Sequence, residues 1–197
     1  MSEVLIKRDQ WDRPLVPDPA TGKVRAWTRA TTLAGTISDR RALEQWGQRN
    51  LVRGMAAGGE RLLLQAVAAG DDRNALEEVV EAAMVAAQAS SSADVGTALH
   101  RITERIDLGE ELRVPDSHRA DVEAYLAAAR AAGVEIVPGW LERFVVCPPV
   151  EAAGTMDRLA TVRGYELPIV TDLKTGAGQL EYGQIEIAAQ LAIYANA

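Results

Sequence analysis

Toward its C-terminal end the chain reads Gly154-Thr155-Met156-Asp157, then Asp172-Leu173-Lys174-Thr175-Gly176, then Gln190-Leu191-Ala192-Ile193-Tyr194. Two carboxylates and a lysine gathered on a sheet make a divalent-metal site, because hard cations take oxygen ligands and an adjacent ammonium can hold water or balance a developing oxyanion. Such a site can hydrolyse phosphodiesters.

The spacing fixes what the backbone must do. Side chains two apart on a strand share a face, so Asp172 and Lys174 point the same way and Leu173 the other. Asp157 must reach them from a second strand. Residues 155–163 and 166–175 are strand-like, and Gly164-Tyr165 supplies a turn between them. A hairpin centred there sets Asp157 opposite Asp172 with their Cβ atoms roughly 5 Å apart. Like charges so placed are unfavourable unless a cation lies between them. Pro168 cannot donate to the ladder and is expected to widen the loop; symmetric widening keeps the register, whereas an added bulge breaks it.

Several helices precede the hairpin. Residues 1–27 carry Pro14, Pro17, Pro19 and a Gly22-Lys23 turn signal and read as extended or loop-like. A helical region begins at Thr31-Thr32-Leu33. Ser38-Asp39 can cap a helix over 40–54 bearing Leu43, Trp46, Leu51 and Val52, and Gly58-Gly59 breaks the chain before a helix over 60–69. Asp71-Asp72 can cap a helix over 73–89, residues 90–94 form a polar link, and 95–108 is a helix carrying His100 and Glu104 that stops at Gly109. Pro115 opens a helix to about 132. The periodicity then changes to a strand over 140–146, bearing Glu142, followed by the hairpin and a final helix over 182–197. This order predicts an α/β (α+β) fold, a small central sheet flanked by helices. The chain stops within that last helix without a cap, and the natural protein is expected to run further.

With 197 residues and 48% hydrophobic content, one compact domain is expected. No run of about 18 apolar residues and no leader pattern is present, so a cytoplasmic protein without membrane attachment is expected. The single cysteine, Cys147, excludes an intramolecular disulfide and a four-thiolate cluster within these residues. The net charge of -7 argues against simple nucleic-acid binding, yet residues 1–60 carry 10 basic and 7 acidic groups. Lys23, Arg25, Arg29, Arg40, Arg41, Arg49 and Arg53 could line a surface that tracks a phosphate backbone, or form part of an ordinary mixed surface.

Taken in order, Gly96-Thr97-Ala98-Leu99-His100, Gly154 to Asp157, Asp172 to Gly176 and Gln190 to Tyr194 resemble the RecB-like branch of the PD-(D/E)XK nuclease superfamily, which includes phage-type exonucleases. The resemblance covers roughly residues 95–197, and Thr31-Thr32-Leu33 with Leu43-Glu44-Gln45-Trp46 looks like the helical preamble of phage members. It implies a restriction-endonuclease-like core over 95–197 behind a helical N-terminal part over 1–94. It further implies that Asp157, Asp172, His100 and the Leu173 carbonyl hold Mg²⁺ or Mn²⁺, that Lys174 is catalytic with the two aspartates, and that Gln190 and Tyr194 meet DNA or orient the lysine.

Glu142 is a candidate for support around the site, as is Glu104, for which an ion pair with Arg101 or Arg105 is the plainer expectation. No iron-sulfur cluster of the kind some relatives carry is expected. The implied activity is DNA hydrolysis, by an exonuclease of recombination, replication or repair, with DNA and a recombination or replication protein as partners. Expression in a phage host's cytoplasm fits this reading. A catalytically silent DNA-binding or scaffold subunit and a restriction-type endonuclease are the alternatives.

Overall fold

A computed structural model describes residues 6–89, 91–175 and 183–197; the side chains of 91–94 are left undescribed. Gly176, the last residue of the second motif, and Ser90 of the polar link lie outside the described residues. The fold is mixed α+β, and the chain divides into two units, Asp39–Ala98 and the remainder.

The larger unit joins Met1–Ser38 to Leu99–Ala197, so the division does not fall at residue 94. The cause is strand pairing. Residues 15–26, read from sequence as extended or loop-like, form a hairpin of β1 (Leu15–Pro17) and β2 (Val24–Ala26), and β3 (Thr28–Arg29) then pairs in parallel with Ala152 and Ala153 in the last quarter of the chain. A short helix, α1 (Ala30–Gly35), follows directly and brings Ala30 into the core.

The sheet is built on β5 (Ala152–Val162). One edge of it pairs antiparallel with β4 (Val134–Cys147) along nearly the whole length. The other edge is shared by β3 at Ala152 and Ala153 and by β6 (Ile169–Thr171) at Arg158 to Ala160. β4 is twice as long as the expected strand over 140–146, because Pro138-Gly139 does not end it but creates an irregularity between Ile136 and Leu141. Proline withholds a donor and is tolerated at such a bulge.

β5 and β6 pair as Arg158↔Thr171, Leu159↔Val170 and Ala160↔Ile169, the register expected for a hairpin centred between Gly164 and Tyr165. The loop is wider than a tight turn, with Pro168 at its end, and the widening is symmetric. β6 is shorter than expected, so Asp172, Leu173 and Lys174 lie just past its end instead of within a regular strand.

Around the sheet stand α4 (Ser91–Asp107), α5 (Asp116–Ala132) and α6 (Gln184–Ala195). Met156, Ala30 and Tyr194 form one buried cluster. Gly154 explains itself here: a Cβ on it would stand 2.7 Å from the Tyr194 hydroxyl and 3.1 Å from its ring. Gly154→Ala is expected to cost about 1–3 kcal/mol by overpacking. Urea denaturation checks it, and Tyr194→Phe, which removes the nearest atom, should recover part of the loss.

The smaller unit contains α2 (Arg41–Ala69) and α3 (Arg73–Ala86). Asp72 caps α3 by accepting from the Asn74 and Ala75 N–H groups, as expected, whereas α2 begins behind Arg40 without a side-chain cap and Asp39, one position earlier, accepts only from the Arg41 N–H. The expected break at Gly58-Gly59 is a kink within α2, where Gly59 has φ 57°. Leu43, Trp46 and Val52, apolar residues of the expected helix, are exposed. The contact is made through small residues instead: a Cβ on Gly54 would fall 1.8 Å from the Ala83 carbonyl oxygen, so the two backbones meet directly.

Candidate metal centre

The candidate residues converge within the larger unit. Asp157 lies on β5 beside the last β6 pair, and its Oδ2 accepts a 3.1 Å hydrogen bond from the Leu173 N–H. Asp172 follows β6 by one residue, and the Lys174 ammonium stands 2.6 Å from Asp172 Oδ2. That approach is close but poorly directed, so the buried Oδ2 accepts no aligned hydrogen bond among the described residues. His100 projects from α4 and brings Nδ1 to 3.6 Å from Asp157 Oδ2, nearer than chance contact but beyond a hydrogen bond.

The charges oppose one another. Burial raises the Asp157 carboxyl above the usual carboxylate range, and the neighbouring Asp172 raises it further, against the Leu173 N–H bond and His100. Glu142 stands on β4 between the pairs Leu141↔Arg158 and Arg143↔Met156, which sets it across from Asp157 with a left-handed φ of 48°. Burial of its carboxyl, then repulsion from Asp157 and Glu104, push it up to about 7, with Arg158 opposing. Glu104 thus faces this cluster, while Arg105 pairs with Glu110 and not with Glu104.

The linkage has a definite sign. Unfolded Glu142 loses its proton near 4.5 and folded Glu142 near 7, so between these values the folded state binds more protons and stability falls as pH rises. The raised Asp157 adds in the same direction. A metal-free protein should therefore melt at lower temperature as pH climbs from 4.5 to about 7, and Glu142→Gln should flatten that slope in calorimetric scans.

Carboxylates, an imidazole and a backbone carbonyl suit Mg²⁺ or Mn²⁺, and a buried carboxylate oxygen lacking an aligned donor, among mutually repelling acids, is where a cation would relieve the field. The donor set fits. The donors are not gathered into a ready cage, however: among the described residues no three His, Cys, Asp or Glu side chains group closely enough to hold an ion. Lys174 occupies the approach to Asp172 instead.

Gln190 and Tyr194 share one face of α6, and the Gln190 amide stands 3.5 Å from the Tyr194 hydroxyl. Tyr194 is only 6% exposed and packs on Gly154, so its side chain braces α6 against β5 and offers DNA no face. Gln190 is half-buried beside it.

A buried cluster behind the site was not read from sequence. Arg158 is 4% exposed; its Nε donates to Asp107 Oδ2 at 2.6 Å and its Nη2 to Thr103 Oγ1 at 2.9 Å. The Tyr125 hydroxyl on α5 donates to the same Asp107 carboxylate, and burial and that bond push it up to about 12. Arg158 Nη1 has no hydrogen bond and lies 3.8 Å from Asp157 Oδ2. A signal existed: Arg158 shares strand parity with buried Met156 and Ala160, and an inward charge on a strand implies a buried partner.

No protein-family model, curated protein or solved structure matches this chain. No helix among the described residues is long and apolar enough to cross a membrane.

Proposed function

We propose that this chain is a Mg²⁺- or Mn²⁺-dependent deoxyribonuclease of the PD-(D/E)XK type, an exonuclease of the RecB-like and phage branch acting in recombination, replication or repair. The observation that carries the reading is the β5–β6 register, which sets Asp172 across from Asp157 while Lys174 stands 2.6 Å from Asp172. Asp157, Asp172, His100 and the Leu173 carbonyl are the groups that would hold the ion. When bound, the ion supplies positive charge to the phosphate and lowers the pKa of an attacking water.

The chain's own residues supply position. The Leu173 N–H holds the Asp157 carboxylate, and Lys174, beside Asp172, would orient the attacking water and balance charge on the phosphate oxygens. Arg158 ties α4, and with it His100, to the strand that carries Asp157. Tyr194 and Gly154 seat α6 on the same strand.

End-labelled linear DNA and closed circular DNA, incubated with Mg²⁺, Mn²⁺ or chelator, test the reading. Progressive loss of linear DNA with metal, and sparing of circles, is expected; discrete plasmid fragments would instead indicate a restriction-type endonuclease. The lack of a three-ligand grouping among the described residues favours a second reading, a catalytically silent DNA-binding or scaffold subunit. Calorimetric titration with Mn²⁺ separates the two, since a silent site takes up no metal at the carboxylates.

A further inference from the structure

The smaller unit carries a feature that the carboxylate site does not use. Arg41, Gln45, Arg49 and Arg53 follow one another at four-residue steps on α2, a row of neighbours on one helix face about 18 Å long. All four are exposed. Among the described residues none of the three guanidinium groups has a hydrogen bond or ion pair, whereas Arg25 pairs with Asp18 and Glu151, and Arg29 with Asp12. Glu44 is the single acid between Arg41 and Arg53, and it lies off the row. Trp46, 42% exposed, stands one turn before Arg49 and flanks the row on the side of Arg53. The opposite face of the helix is occupied, through Asn50 and Gly54.

Three arginines in line, in a chain of net charge -7, have no ion-pair partner among the described residues. A polyanion of regular charge spacing fits them, and an exposed indole beside such a row offers a stacking face to an unpaired base. We propose that the Arg41-Arg49-Arg53 face of α2, with Trp46, is a binding surface for single-stranded DNA, the arginines contacting successive phosphates and the indole taking one base. The choice of DNA over other polyanions rests on the nuclease reading. The surface deepens that reading by naming a strand form that the chain engages through residues other than its carboxylates.

Fluorescence anisotropy of a labelled oligonucleotide, in chelator so that no strand is cut, tests the surface across a salt series. Arg41→Gln/Arg49→Gln/Arg53→Gln should weaken single-strand binding about tenfold or more and flatten the plot of log affinity against log salt by about 2, from roughly 0.7 per lost phosphate contact. The triple Arg→Lys variant should keep the slope. Trp46→Ala should weaken single-strand binding several-fold and duplex binding less. Circular dichroism checks that each variant is folded.

Unchanged affinity and slope in the Gln variant would overturn the inference, as would equal losses in the Lys variant. Binding of anionic lipid vesicles as tight as that of DNA, or a wild-type chain that binds no DNA, would do the same. Asp172→Asn, measured alongside, tells the two readings apart: row-dependent binding supports this surface whether or not hydrolysis is found, and absence of hydrolysis bears on the carboxylate site alone.

Discussion

Lys174→Ala is expected to hydrolyse linear DNA roughly 10² to 10⁴ times more slowly than the unaltered chain while binding it about equally well. The size follows from what the ammonium would do in the proposed reaction. It stands within 2.6 Å of Asp172 and is only partly exposed, so its charge acts in a setting less screened than bulk water. A group that orients a nucleophile and balances charge developing in the transition state affects turnover more than ground-state affinity. Lys174→Arg keeps the charge but not the compact geometry and should recover little. Single-turnover rates on end-labelled DNA with saturating Mn²⁺ measure the effect. A rate unchanged in Lys174→Ala would sink the mechanism.

The second large effect concerns stability. Arg158→Met should destabilise the protein by about 3–5 kcal/mol, because it strands the buried Asp107 carboxylate that Arg158 and Tyr125 now hold. Asp107→Asn should also destabilise, leaving the guanidinium without its main partner. The double variant should lose clearly less than the sum of the two, since neither uncompensated charge then remains. Denaturant unfolding of the four proteins closes the cycle; simple additivity would show that the pair is not coupled. Arg158→Met should also loosen α4 at Thr103, and so the seat of His100 beside Asp157, which would appear as weaker Mn²⁺ uptake at temperatures where the variant is still folded.

Much of the local architecture was legible because its signals are local. Turn residues and parity predicted the β5–β6 register, and Pro168 widened the loop without shifting it. Asp72 announced its helix, and Gly133 ended α5 in the left-handed conformation. Other features had no local signal. The pairing of Thr28 and Arg29 with Ala152 and Ala153 joins residues more than a hundred positions apart, and only that pairing draws the N-terminal segment onto the sheet. Pro138-Gly139 reads as a strand end, yet neighbouring hydrogen bonds with β5 carry β4 through it.

The candidate site divides in the same way. Residue types and spacing by themselves determined that Asp157, Asp172 and Lys174 should meet, because a hairpin with a two-residue side-chain period leaves few ways to arrange them. Tertiary structure alone decided which groups surround them. It surrounded Glu142 so that burial, with Asp157 and Glu104 nearby, pushes its carboxyl up to about 7, buried Arg158 against Asp107, and packed Tyr194 on Gly154 as a brace. Those outcomes depend on charges and contours brought together from α4, α5, β4 and α6, and Coulomb energy and close packing are functions of distance in space, which spacing along the chain does not determine.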